Sequence, residues 1–419
     1  MRGLLLALGL ALAACTTADT KPDAPAEVPV LREFRGAWVA AVANIDWPSR
    51  AGLPVAQQQE EIVRIVERAR SIGLNALIVQ VRPAADALYE SPFEPWSEYL
   101  TGTQGKAPEP FYDPLAMWVA EAHRRGIELH AWFNPYRARH PSARSPLAPN
   151  HIARTMPEAV KQYGDYLWLD PGNAEAARRT LDVIVDVTRR YDVDGIHIDD
   201  YFYPYPEKAS DGSEIDFPDD ASWARYTLSG GRLSRADWRR ANVDTLVERI
   251  NEAVHREKPW VKFGVSPFGV GRPDRRPPGV AGFSQYDKLY ADVERWLARG
   301  WLDYLAPQLY WPMDSQEQPF NVLLDYWSRA NTADRHIWPG FFTSRIEDPA
   351  KPWKAEEITN QVAATRARGV DGHIHFSMAA LVQNRGGIAD RLKAAYAVPA
   401  RVPLSPWLAT NPHPMEPSK

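Results

Sequence analysis

Two aspartates, Asp199 and Asp200, stand side by side near the end of the stretch DGIHIDDYF that begins at Asp194. Adjacent carboxylates repel, so one member of such a pair can hold its proton to near-neutral pH and serve as an acid. Two carboxyl groups flanking one bond are what cleavage of a glycosidic linkage requires. Asp199 suits the nucleophile or the group that stabilises an oxocarbenium-like centre, and parity makes Asp200 the structural member, a cap for the loop that follows. The second carboxyl stays open, with Asp200, Asp46 and Asp86 as candidates. Aromatic residues stand at Trp47, Tyr136, Tyr201, Tyr203 and Trp311, and flat apolar rings suit the C–H faces of sugars. Arg82 and Arg137 could clamp a substrate carboxylate or hold Asp86 or Asp199 in place.

Other chemistries find less support. His373 and His375, at strand spacing, could join His197 or Asp199 around a metal, but there is no HExxH motif and Cys15 is the only cysteine. We therefore expect no metal and no cofactor. Ser266 lies in VSPFG rather than in a GxSxG elbow, which argues against serine-esterase chemistry.

These residues need elements to position them. Apolar strand-like runs start at Phe34, Asn75, Ile127, Asp194, Val261, Leu302, His336 and Asp371. Helical patterns separate them: Ile62, Ile65, Val66, Ala69 and Ile72 form one stripe ending at Gly73, and Asp113-Pro114 opens another helix. Eight strand–helix units predict the α/β class and a closed (β/α)8 TIM barrel, with long loops after the third and fourth strands. No GxGxxG or phosphate-loop motif supports an open doubly wound sheet. Side chains alternate along a strand. Parity then points Gln80, Arg82, His130, Trp132, Asn134, His197, Asp199, Ser266, Gln308, Tyr310, His375 and Ser377 at the barrel axis, with His373 among its deeper polar members.

The chain start reads as an export signal: Arg2, an apolar run from Leu4 to Ala14, then Leu12-Ala13-Ala14-Cys15. That tetrapeptide predicts lipidation at Cys15, and Thr16 after it predicts outer-membrane sorting with the protein facing the periplasm. We divide the chain into a signal peptide and lipobox (1–15), a tether (16–33), the barrel (34–397) and a proline-rich tail (398–419). A formal charge of -4 without a basic run gives no footing for nucleic acid. The membrane should be met only through the N-terminal lipid, and a monomer is expected.

The motifs FRGAWVA, QVRPAADALYES, AWFNPYR, WLDPGN, DGIHIDDYFYP and LAPQLYW, in this order, resemble the bacterial glycosyl-hydrolase-like family 10 from about Phe34 to Arg345. The resemblance implies a barrel acting on cell-wall glycan. Together with the lipoprotein signal, it is to the division-associated outer-membrane members, which hydrolyse denuded peptidoglycan strands, those stripped of stem peptides. Carried over by motif, Asp199 with Asp200 is the catalytic position, and Arg82, Asn134, Tyr136 and Gln308 line the cleft. One departure is Gly271 in SPFGVGR, where the resemblance leads us to expect a tryptophan. The chitinase-type pattern DGxDxDxE reads Asp194, His197, Asp199 and Tyr201 here, so its glutamate acid is missing. Two rival expectations are a non-catalytic glycan-binding lipoprotein and a metal-dependent polysaccharide deacetylase.

Overall fold

The computed structural model describes residues 30–412; the signal peptide, Cys15, the tether up to residue 29 and the last seven residues lie outside the described residues. All eight expected strands are present as β1 (Phe34–Val39), β2 (Ala76–Arg82), β3 (Glu128–Phe133), β7 (Gly195–Ile198), β8 (Lys262–Val265), β9 (Tyr304–Leu305), the pair β10 (His336–Ile337) and β11 (Gly340–Phe341), and β12 (Gly372–His375). Their order, β10-β9-β8-β7-β3-β2-β1-β12-β11, is parallel throughout. The two ends of this order are halves of a single expected strand, interrupted at Trp338-Pro339, where proline has no N–H to give. The sheet therefore closes on itself, and the fold is a (β/α)8 barrel.

Helices cover the outside, and their caps follow from the sequence. Asp113 accepts from the Ala116 N–H ahead of the helix Pro114–Arg124, Asn173 caps Ala174–Arg190, and Gly73, at φ 95°, ends Val55–Ile72. The apolar stripe of that last helix is buried as expected. One hydrophobic layer lies between strands and helices and a second fills the barrel. The second is built from Phe34, Trp38, Ile78, Trp132, Tyr304, Trp338 and Ile374, with Phe34 and Trp338 stacked 3.7 Å apart. Gly264 makes room for this packing: a Cβ there would lie 2.0 Å from the Tyr304 ring.

Polar groups thread the same interior. The Trp38 indole, which can only donate, gives its N–H to His197 Nε2. This fixes the tautomer, so His197 Nδ1–H donates to the Tyr304 hydroxyl, which donates to His130 Nδ1, whose Nε2–H reaches Glu128. Lys262 then pairs with Glu128. Burial holds His197 well below the ordinary histidine pKa, consistent with this neutral form.

Two features depart from the sequence reading, and a third adds to it. The loop after β3 folds into a small antiparallel sheet of β4 (Arg137–Arg139), β5 (Val160–Tyr163) and β6 (Tyr166–Leu169). In β12 the inward position is Ile374, so His373 and His375 face the helices and both meet the Tyr396 hydroxyl. The tail crosses the N-terminal ends of the strands. There Trp407 donates to Asp303, Ser405 contacts His336, and Arg401 bridges to Arg32.

Candidate active site

At the C-terminal ends of the strands, where barrel loops gather, β7 delivers its two aspartates. Regular pairing ends at Ile198, so parity no longer separates the next two residues, and both carboxyls join the mouth. Asp199 accepts from Trp132 Nε1 (3.0 Å) and from Asn134 Nδ2 (3.2 and 3.1 Å). Asn134 is itself locked, because its Oδ1 takes the Arg137 N–H at 2.7 Å in the turn leaving β3. Burial raises the Asp199 pKa to about 7, with Asp200 adding to the rise and Arg137 opposing it. Asp200 accepts from the Tyr205 hydroxyl and from Gln308, and burial raises its pKa as well. The arrangement is a pair of adjacent buried carboxyls, each held by two donor side chains and each raised by burial, with Asp199 able to hold a proton near neutrality. Such a pair can protonate a leaving oxygen and stabilise the positive centre left behind.

Partly exposed aromatic rings line the mouth over the loops that follow β7 to β12. Tyr201 lies under the Arg137 guanidinium, 4.8 Å from its ring centroid, and meets Tyr205 edge-on. Tyr205 stacks on Phe283 at 5.1 Å, and Phe268 links Phe283 to Trp311. Further round the ring Tyr310 stacks on Phe342 at 4.7 Å, with Phe376 beyond. Gln308 Nε2 also donates to the Ser266 carbonyl. Tyr205, Phe268, Phe283, Phe342 and Phe376 are absent from the sequence-based set. For all but Phe283, deep in the loop after β8, the only signal was an aromatic residue at or shortly after a strand end, which buried loop anchors share.

Several expected site residues lie elsewhere. Arg82 is fully buried and turned outward, gripping Glu94 through Nε and Nη2 and the Asn134 carbonyl through Nη1. A register shift between Gln80 and Arg82 reverses the parity that aimed it at the axis. Trp47 packs edge-on against Trp118 in the helix layer and donates to the Gln58 carbonyl. Tyr136 and Tyr203 are buried beneath the loops. His375 faces the helices, as described above. Asp86 is buried, accepts from the Ala84 N–H and Gln104, and is raised to about 7 by burial. Gln80 does face inward, where its Oε1 takes the N–H groups of Ala41 and Val42 and shapes the loop after β1. Asp46 ties that loop to the one after β12 through Ser377 and the Ala379 N–H, and burial raises it to about 6. Among the described residues no three His, Cys, Asp or Glu side chains converge as a metal site. His373 and His375 lie on the opposite side of the sheet from His197 and Asp199. At Gly271, a Cβ would lie 2.3 Å from the Tyr326 ring, so the tryptophan expected there has no room.

The glycosyl hydrolase-like 10 family model matches residues 33–356. The chain is 42% identical over 389 residues to glycosyl hydrolase YngK of Bacillus subtilis, covering 90% of this chain and 74% of that one. It is 32% identical over 377 residues to glycosyl hydrolase DigH of Escherichia coli, covering 83% and 84%. Among solved structures, the PgaB (BpsB) glycoside hydrolase domain of Bordetella bronchiseptica superposes with a TM-score of 0.57 at 14% identity, covering 89% of this chain and 99% of that one. The β-amylase catalytic domain of Paenibacillus polymyxa gives 0.59 at 11%, covering 87% and 98%. At those identities the two structures speak for the fold.

Proposed function

This chain belongs to the glycosyl hydrolase-like 10 family, and on that premise we propose that it hydrolyses peptidoglycan glycan strands, denuded ones in particular, during wall remodelling or division. The observation that carries the reading is the buried Asp199–Asp200 pair at the barrel mouth beside a run of partly exposed aromatic rings. Asp199, raised to about 7, donates its proton to the leaving oxygen. Asp200, held by Tyr205 and Gln308, is the carboxylate that stabilises the oxocarbenium-like centre or orients the neighbouring acetamido group. Lipid at Cys15 would keep the protein at the outer membrane, facing the wall.

The test is mass spectrometry of soluble products from amidase-stripped strands, with intact sacculi and the Asp199→Asn protein alongside. Reducing-end oligosaccharides from stripped strands alone, lost in the variant, are the expected result. Strands bound by both proteins and cut by neither would replace the hydrolase with a glycan-binding lipoprotein.

A further inference from the structure

The loop from Gly271 to Phe283 serves two places. Phe283 stacks on Tyr205 in the wall of the mouth, while Arg275, Pro277 and Pro278 line a separate groove of about 460 Å³ against the helices Val293–Arg299 and Phe320–Ala330. That volume lies within the roughly 300–1,000 Å³ of small-ligand sites. Arg276 pins the loop between the two, reaching the carbonyls of Gly271, Gly282 and Phe283.

The groove holds groups without partners. Glu294 is 3% exposed; its Oε1 accepts from the Tyr326 hydroxyl and the Arg272 N–H, but Oε2 has no hydrogen-bond partner. A buried polar atom left unpaired costs about 1–3 kcal/mol, more when charged, so this oxygen calls for a donor. Arg275 and Arg329 line the same groove, both exposed, and neither side chain has a hydrogen bond or ion pair to another described residue. Tyr326 can lie where it does only because residue 271 has no Cβ.

We infer that this groove is a second glycan subsite for a sugar bearing both hydroxyl or amide donors and a carboxylate. The inference rests on the reading of the mouth as a glycan site. Glu294 takes a donor from the sugar, the Tyr326 and proline faces pack against its ring, and Arg275 with Arg329 meet its carboxylate. Removal of stem peptides leaves each lactyl carboxylate of a strand free, so the groove selects peptide-free strands.

The test compares proteins carrying Asp199→Asn, so that strands are bound and not consumed, with and without Arg275→Ala and Arg329→Ala. Binding of peptide-free strands is measured calorimetrically beside the same strands with their carboxylates converted to methylamides. Loss of the two arginines should weaken binding of native strands about fivefold to tenfold and leave the amidated strands unaffected. Turnover of a short neutral N-acetylglucosamine oligomer should be unchanged when the arginines are replaced in the otherwise native protein. Equal affinity for native strands, or an equal loss on amidated ones, overturns the subsite. Strands bound through the arginines yet uncut by the native protein would retire the hydrolase reading and leave the subsite standing.

Discussion

The two aspartates differ in what holds them, and that difference is measurable. If Asp199 is the acid, Asp199→Asn should lower turnover of native strands by about 10²–10⁴-fold, yet retain most activity on an aryl glycoside whose leaving group needs no proton. Asp200→Asn should be crippled on both substrates, and the reverse pattern would exchange the roles. An acid near 7 also sets a sign for pH: activity should fall as pH rises through about 7, when Asp199 loses its proton. Arg137 pulls that pKa down, so Arg137→Met should move the falling limb to higher pH. Much of this was legible before any coordinates. Strand alternation alone aimed Trp132, Asn134, His197 and Asp199 at one volume. What it could not show was that β7 stops at Ile198, which frees Asp200 from the parity that made it a cap.

Elements decide the residues that sequence misplaced. Arg82 follows the alternation of β2 in sequence, but the register shift at its end turns it outward onto Glu94. A bulge leaves no local sequence signal here, since Gln80-Val81-Arg82 reads as regular strand. In β12 two histidines flank one isoleucine, and polarity suggested that the histidines face the cleft. The interior instead takes Ile374, and on the outer layer the Tyr396 hydroxyl meets the Nε2 atoms of both imidazoles. The Arg82–Glu94 pair predicts a particular non-additivity. Arg82→Met alone strands a buried carboxylate and should cost about 3–5 kcal/mol in denaturant unfolding, while Arg82→Met with Glu94→Leu should recover much of it. Tyr304→Phe removes the hydroxyl joining His130 and His197 and should cost about 1–3 kcal/mol.

For the molecule as a whole, the eight-unit rhythm of strands and helices was enough to name the barrel. The function of the tail was not, because a proline-rich stretch without periodicity carries no sign of what it will touch. Trp407 and Ser405 contact groups at the starts of β9 and β10, on the face opposite the mouth. Trp407→Ala should therefore lower the melting temperature, losing on the order of 1–3 kcal/mol, and leave turnover at 25 °C unaltered. A loss of turnover in the folded variant would mean that the two faces communicate.

Closure of the ring also imposes a timetable. β1 is bordered by β2 and β12, and β12 begins roughly 340 residues after β1. At the usual pace of about 5–20 residues per second, the apolar segment FRGAWV waits on the order of 20–70 s for its second neighbour. Throughout that interval it offers an unpaired strand edge to any other nascent chain. The yield of active protein in a living cell should then depend on how well that edge is shielded while the chain is still being made.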